Sequence, residues 1–209
     1  MFAAILILAK ISEAITVTAT RTEIRVADTP ASVVVLSKEA LASSPAPTLD
    51  DALRQVAGFT LFRRAGSRVA NPTTQGVSLR GVGASGASRA LVLDDGVPLN
   101  DPFGGWVYWG RLPRAALERV EVLRGGASDL YGSSAMGGVI QFIRRKSPGV
   151  TIETSAGSQK TATTSLFAGA DHFSLAADFL ATDGFVLVRP EDRGAVDVEI
   201  GRASCRERV

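Results

Sequence analysis

Apolar and polar positions change their period along this chain, and the changes mark its elements. Ile15 to Arg21 alternates Ile15, Val17 and Ala19 against threonines, a period-2 pattern that predicts a strand. Ser32 to Leu36 predicts a short Val-rich strand, and Ser37 is placed to cap a brief helix through Leu41, closed by the SSPAP segment. Thr48 is a suitable N-cap for a second helix. Its first turn holds Asp50 and Asp51, its apolar side Leu49, Ala52, Leu53 and Val56, and Gly58 follows its end. Strands are expected at Phe59–Phe62, Val77–Leu79, Ala90–Leu93 and Glu118–Leu123, the last with Val120 and Val122 on one face. Asp94-Asp95-Gly96 is a turn signature, Pro113 opens a single helical turn through Leu117, and Arg63–Gln75 and Asn100–Gly110 read as loops.

From Val150 the alternation lengthens. Thr151, Glu153 and Ser155 interleave with Val150, Ile152 and Thr154, and Ser174, Ala176 and Asp178 with Phe173, Leu175, Ala177 and Phe179. Asp197 and Glu199 interleave with Val196, Val198 and Ile200. Segments of about ten residues, apolar on one face and polar on the other, fit an outer-membrane β-barrel, although the alternation by itself favours a soluble antiparallel sheet with one wet face. Residues 2–9 (FAAILILA) form an apolar run sized for a signal-peptide core or a buried strand, but only Met1 precedes it. Residues 1–12 are therefore expected to be a truncated or misstarted signal-like segment. Arg202 onward breaks the alternation without a turn, so 202–209 is expected to be a foreign tail.

Composition narrows the class. The 209 residues are 45% hydrophobic and 21% charged, which excludes a disordered chain. One Cys and one His exclude a disulfide framework and a structural zinc site. The net charge of +2 hints at an anionic partner, but three Arg and one Glu sit in the final eight residues. The remainder is neutral, so nucleic acid is not an expected partner.

Catalytic motifs find no context. Gly81, Gly83 and Gly86 match G-x-G-x-x-G, but only three residues separate Gly86 from the next strand, too few for the helix a pyrophosphate site requires. Asp94 and Asp95 are adjacent and would face opposite sides of a strand, and His172 lacks a nucleophile or second ligand. No enzyme activity, cofactor or metal is expected.

Three separated blocks then coincide: SLRG at 78–81 followed by ALVLDDGVPLN at 90–100, LERVEVLRG at 117–125, and LYGSSAMGGVIQFI at 130–143. Their order and spacing resemble the plug domain of TonB-dependent outer-membrane receptors, transporters of siderophores, cobalamin and similar scarce solutes. The resemblance implies an α+β plug domain, a small mixed sheet with short helices, over 21–148. The first antiparallel strands of an incomplete transmembrane β-barrel would follow over 149–201. Family receptors close about 22 strands around the plug, and 149–200 has room for about four. Departures are Gly126 for the family's Pro, Asp94 for an aliphatic residue, Gln141 for Asn, and Ala57 for the Pro that precedes the helix-ending Gly.

The resemblance also implies roles. Glu13, Ile15, Thr16, Val17, Thr18 and Ala19 look like a TonB box (13–20), the segment that adds a strand to the TonB C-terminal domain; as residues alone they read equally as a plug strand. Arg80 and Arg124 align with two arginines that lock the plug to carboxylates on the barrel's own inner wall, against a reading as solvated strand-end residues. Candidate contacts to a small-molecule or metal-chelate substrate are Arg63, Arg64 and Arg68, and the aromatics Phe103, Trp106 and Tyr108, which are open also to packing against the lumen. The expected function is thus the N-terminal part of an active transporter of the cell outer membrane, with the plug facing lumen and periplasm. A standalone soluble plug-like module that binds a periplasmic partner is the alternative.

Overall fold

The computed structural model describes residues 14–62, 67, 74–82, 88–158, 160–170 and 173–182. Expectations for Glu13, Arg63, Arg64, Arg68, Gly83, Gly86, His172, the 196–200 strand and the two terminal segments lie outside these residues.

The central element is a five-stranded mixed sheet. Its strands are β3 (Ser32–Ser37), β6 (Ala90–Asp94), β7 (Val97–Pro98), β8 (Leu117–Arg124) and β9 (Gly138–Arg144), in the order β3-β8-β9-β6-β7. Only β6 and β9 run parallel. Two small pairs flank it: β1 (Ile15–Thr16) with β2 (Ile24–Arg25), and β4 (Phe59–Leu61) with β5 (Val77–Leu79). The short helices are α1 (Lys38–Ser43), α2 (Leu49–Ala52) and α3 (Ser128–Tyr131). An α+β plug with a small mixed sheet is what the sequence motifs imply.

Local chemistry explains the boundaries. Ser37 caps α1 by accepting the Ala40 amide at 3.3 Å. Thr48 does not cap in this way; its hydroxyl donates to Asp51 at 3.0 Å, and α2 passes into a 3-10 turn over Leu53–Gln55. Asp95 and Gly96, with φ of 46° and 85°, form the tight primed turn that joins β6 to β7. The strand expected through Arg21 stops at Thr16, because residues 16–18 turn inward onto a carboxylate described below.

The main core lies on one face of the sheet. Val120, Val122, Ile140, Phe142 and Val92 meet Leu49, Leu53 and Val56 from the α2 region. Trp109 is its pivot, edge-on to Phe59 at 6.5 Å and to Phe142 at 6.3 Å between centroids. The opposite face carries a smaller cluster of Leu91, Leu93, Leu123, Ala127, Ala135 and Val139. Strands β8 and β9 are therefore covered on both sides, which favours their β-branched residues.

The unusual Asp94 is explained by Arg144, two residues beyond the register partner of Asp94, Phe142. The guanidinium grips both carboxylate oxygens at 2.6 Å, and the Arg144 amide donates to Asp95 at 2.9 Å. This bond raises the Arg144 pKa against the opposing effect of burial. Gly138 is demanded by geometry. Its φ is +134°, and a Cβ there would lie on the Leu123 carbonyl and 2.8 Å from the Leu79 methyl. Gly126, by contrast, has room for a side chain.

Beyond the central sheet, β10 (Gly149–Gly157), β11 (Thr161–Gly169) and β12 (Ser174–Ala181) form an antiparallel meander. Cross-strand partners share a face. Val150, Ala168 and Leu175 lie on one side with Ile152 and Leu166, and Val150 and Ile152 are exposed. Glu153, Ser165 and Asp178 lie on the other side with Thr151, Phe167 and Ala176. Phe167 on that side is buried against Ala115 and Ala116 of the turn before β8.

Two substitutions test this packing. Asp94→Ala strands a buried guanidinium and is expected to lower stability by about 3–5 kcal/mol, whereas Asp94→Leu combined with Arg144→Met restores most of it in denaturant unfolding. Gly138→Ala is expected to cost at least about 3 kcal/mol in the same assay, since neither neighbour is the end of a flexible polar chain.

Candidate functional site

The residues singled out in the N-terminal segment converge on Glu121, in the middle of β8. The carboxylate is fully buried. Its Oε2 accepts from the Thr16 hydroxyl at 2.7 Å, the Val17 and Thr18 amides at 2.9 Å each, and the Thr18 hydroxyl at 2.7 Å. Oε1 accepts from Arg119 at 2.8 Å. The Tyr131 hydroxyl donates to the Thr18 carbonyl at 2.9 Å, and the Arg21 guanidinium lies over the Tyr131 ring at 4.8 Å. Thr16 and Thr18 are buried completely and Ala19 nearly so, while Ile15 is 46% exposed.

Burial alone pushes the Glu121 carboxyl upward. Hydrogen bonds from Thr16 and Thr18 and the Arg119 contact outweigh it, leaving the group below the ordinary carboxylate range. A buried carboxylate keeps its charge only when donors replace water, and here the N-terminal segment supplies four of the five. Gln141, the departure from the family's Asn, lies beside Glu121 in register and contacts the Thr18 hydroxyl at 3.3 Å.

Arg80 and Arg124 come together on the opposite side of this region. Arg80 sits at φ 54° after β5, its amide bonded to the Gly58 carbonyl at 2.7 Å. Its Nη1 reaches within 3.5 Å of the Cβ position of Gly125. Arg124 donates to the Ala57 carbonyl at 3.2 Å and to the Ser32 hydroxyl at 2.8 Å. The Arg124 cation is thus held by a main-chain and a hydroxyl acceptor, and among the described residues neither arginine has a carboxylate partner.

The three loop aromatics are not brought together. Phe103 is 96% exposed at the tip of a turn in which Asp101 accepts the Phe103 and Gly104 amides. Trp106 folds back over Gly104, and the Tyr108 ring takes the Arg111 guanidinium at 4.4 Å. The grouping inferred from proximity in sequence therefore resolves into one presented ring and two that brace their own loop. Asn100 ties the loop to β6, accepting the Val92 amide at 2.7 Å and donating to the Ala90 carbonyl at 3.2 Å.

Sequence reasoning missed Glu121, Tyr131 and Asn100. The available signal for Glu121 was a carboxylate set between Val120 and Val122, the two apolar residues of the strand LERVEVLR that share one face. Such a group needs donors from elsewhere in the chain.

Comparison with known proteins identifies the domain that carries these residues. Residues 25–139 match the family model described as the TonB-dependent receptor plug domain. The chain is 35% identical over 188 residues to the vitamin B12 transporter BtuB of Vibrio vulnificus, covering 86% of this chain and 30% of that protein. It is 36% identical over 148 residues to an iron-regulated outer membrane virulence protein of Vibrio cholerae serotype O1, covering 66% of this chain and 21% of that one. The alcaligin outer-membrane receptor FauA of Bordetella pertussis superposes with a TM-score of 0.61 at 19% identity, over 81% of this chain and 29% of its own, a likeness of fold alone. The siderophore receptor PiuA of Acinetobacter baumannii gives 0.57 at 26% identity, over 77% of this chain and 22% of its own. The chain thus spans under a third of each of these relatives. By the family match over more than half its length, it belongs to the TonB-dependent receptor plug domain family.

Proposed function

We propose that this chain is the plug and the start of the barrel of a TonB-dependent active transporter in the outer membrane. Its solute is a ferric siderophore, cobalamin or a similarly scarce compound, as the names of its relatives suggest. The observation that carries the reading is the amphipathic β10–β12 sheet. Its polar side, with Phe167, packs on the plug, while Val150 and Ile152 point away into the space a lipid would fill.

In this reading residues 21–148 form the plug and 149–201 begin the barrel, which further strands must close because hydrocarbon does not tolerate open edges. A cavity of about 1150 Å³ separates plug from sheet, lined by Ser44, Thr48, Thr163, Ser165 and Asp178. Leu49, Trp109, Leu112 and Phe179 also line it, so the space between plug and sheet has both polar and apolar walls. Arg80 and Arg124 supply the cationic half of a plug–barrel lock, with acidic partners on later barrel strands. Solute binds at the apical loops, where Phe103 is the presented ring. The 13–20 segment is the partner strand for the TonB C-terminal domain, which draws on the proton-motive force to displace the plug.

Uptake of labelled cyanocobalamin and of a panel of ferric siderophores tests the proposal in the full receptor. Uptake of one of them is expected to stop when residues 13–20 are deleted or the proton-motive force is collapsed, with surface binding retained. Uptake that survives the deletion refutes the assignment of the segment. Phe103→Ala is expected to weaken binding of the transported solute by about 1–2 kcal/mol, about tenfold in Kd, measured on whole cells.

A further inference from the structure

We propose that Glu121 is an autoinhibitory catch: its carboxylate holds residues 16–18 against the plug in a form that cannot accept a partner strand. The inference rests on the reading of 13–20 as a partner-binding strand and goes beyond it, because it names what keeps that strand unavailable.

Strand addition needs a free row of amides and carbonyls along one edge. Here that row is already spent. Ile15 and Thr16 pair with Arg25 and Ile24, the Val17 and Thr18 amides both donate to Glu121, and the Thr18 carbonyl accepts from Tyr131. Docking and partner pairing therefore compete for the same atoms. One oxygen takes four donors, so the contact breaks as a unit; slipping the segment by one residue replaces both hydroxyls with the side chains of Ile15 and Val17 or of Val17 and Ala19. Release also leaves no orphaned charge. Arg119, 25% exposed, remains paired with Oε1 while water replaces the departing donors on Oε2.

The catch lies on β8, the strand that also bears Arg124 and pairs with β3 and β9 on its two edges. A pull on the segment is thus delivered first to the best-braced strand of the plug. The contact must yield before the sheet does, since side-chain hydrogen bonds at one carboxylate are opposed to two full ladders.

The test uses the full chain with Cys205→Ser and a nitroxide at Ile15→Cys, whose side chain is partly exposed. Glu121→Gln is expected to mobilise the label and to raise affinity for a TonB C-terminal domain at least about tenfold, as the competent fraction rises. Thr16→Val with Thr18→Val leaves β8 intact and is expected to do the same, so a folding defect at Glu121 does not decide the matter. Acid should release the label in the wild type as pH falls below the ordinary carboxylate range, because protonation removes an acceptor. Sheet circular dichroism should stay unchanged, and the response should vanish in Glu121→Gln. The other charged and titratable groups that face the carboxylate are Arg119, and Tyr131 with Arg21 over its ring.

A free peptide of residues 13–20 separates the two levels of the claim. If the peptide binds the TonB domain but neither variant loosens the label or tightens binding, the catch is wrong and the partner-strand reading stands. If the peptide does not bind, that reading falls and the autoinhibitory role falls with it.

Discussion

A strand buried on both faces offers no water to a polar side chain, and β8 and β9 impose that constraint on the whole plug. The main core covers one face through Val120, Val122, Ile140 and Phe142, and the second cluster covers the other through Leu123 and Val139. Every charge placed within this layer has to be met by donors or acceptors carried in from distant parts of the chain. Glu121 draws in the N-terminal segment, and Asp94 on neighbouring β6 draws in Arg144. The two solutions differ in kind. Arg144 is part of the sheet and cannot leave, whereas the donors to Glu121 belong to a short tether attached by two-residue pairing. The same desolvation penalty thus makes one contact permanent and the other releasable.

The second organising feature is the contrast between the plug and the β10–β12 sheet. The plug hides its apolar residues in a conventional interior. The sheet shows Val150, Ile152 and Phe179 outward and keeps Glu153, Ser165 and Asp178 inward. Among the described residues the buried apolar cluster that joins the two is small, Phe167 on Ala115 and Ala116, with a broad cavity beside it. An interface of this composition has little hydrophobic burial to lose when the parts shift.

Most of the elements were legible in the sequence because they rest on local rules. Ser37 caps its helix, Asp95-Gly96 makes the primed turn, and Val-rich β3 and β8 pair where their alternation places them. The motif blocks around Arg80, Arg124 and Gly138 sufficed to identify the plug, since their glycines answer backbone demands that survive changes elsewhere. Legibility failed at Thr48, whose hydroxyl turned to Asp51 instead of the backbone, and at the loop aromatics, where Phe103, Trp106 and Tyr108 each have a different environment.

What the sequence determined by itself was therefore the plug class, several of its strands and its first two helices, and the amphipathic character of the final meander, all consequences of spacing within a few residues. The central strand β9 was legible only as part of a motif. The tertiary structure alone decided the fate of the polar outliers. No local pattern joins Thr16 and Thr18 to Glu121 across more than a hundred residues, or Asp94 to Arg144 across fifty. Those pairings exist because a closed sheet excludes water, and a charge left without water takes whichever donors the fold brings within reach.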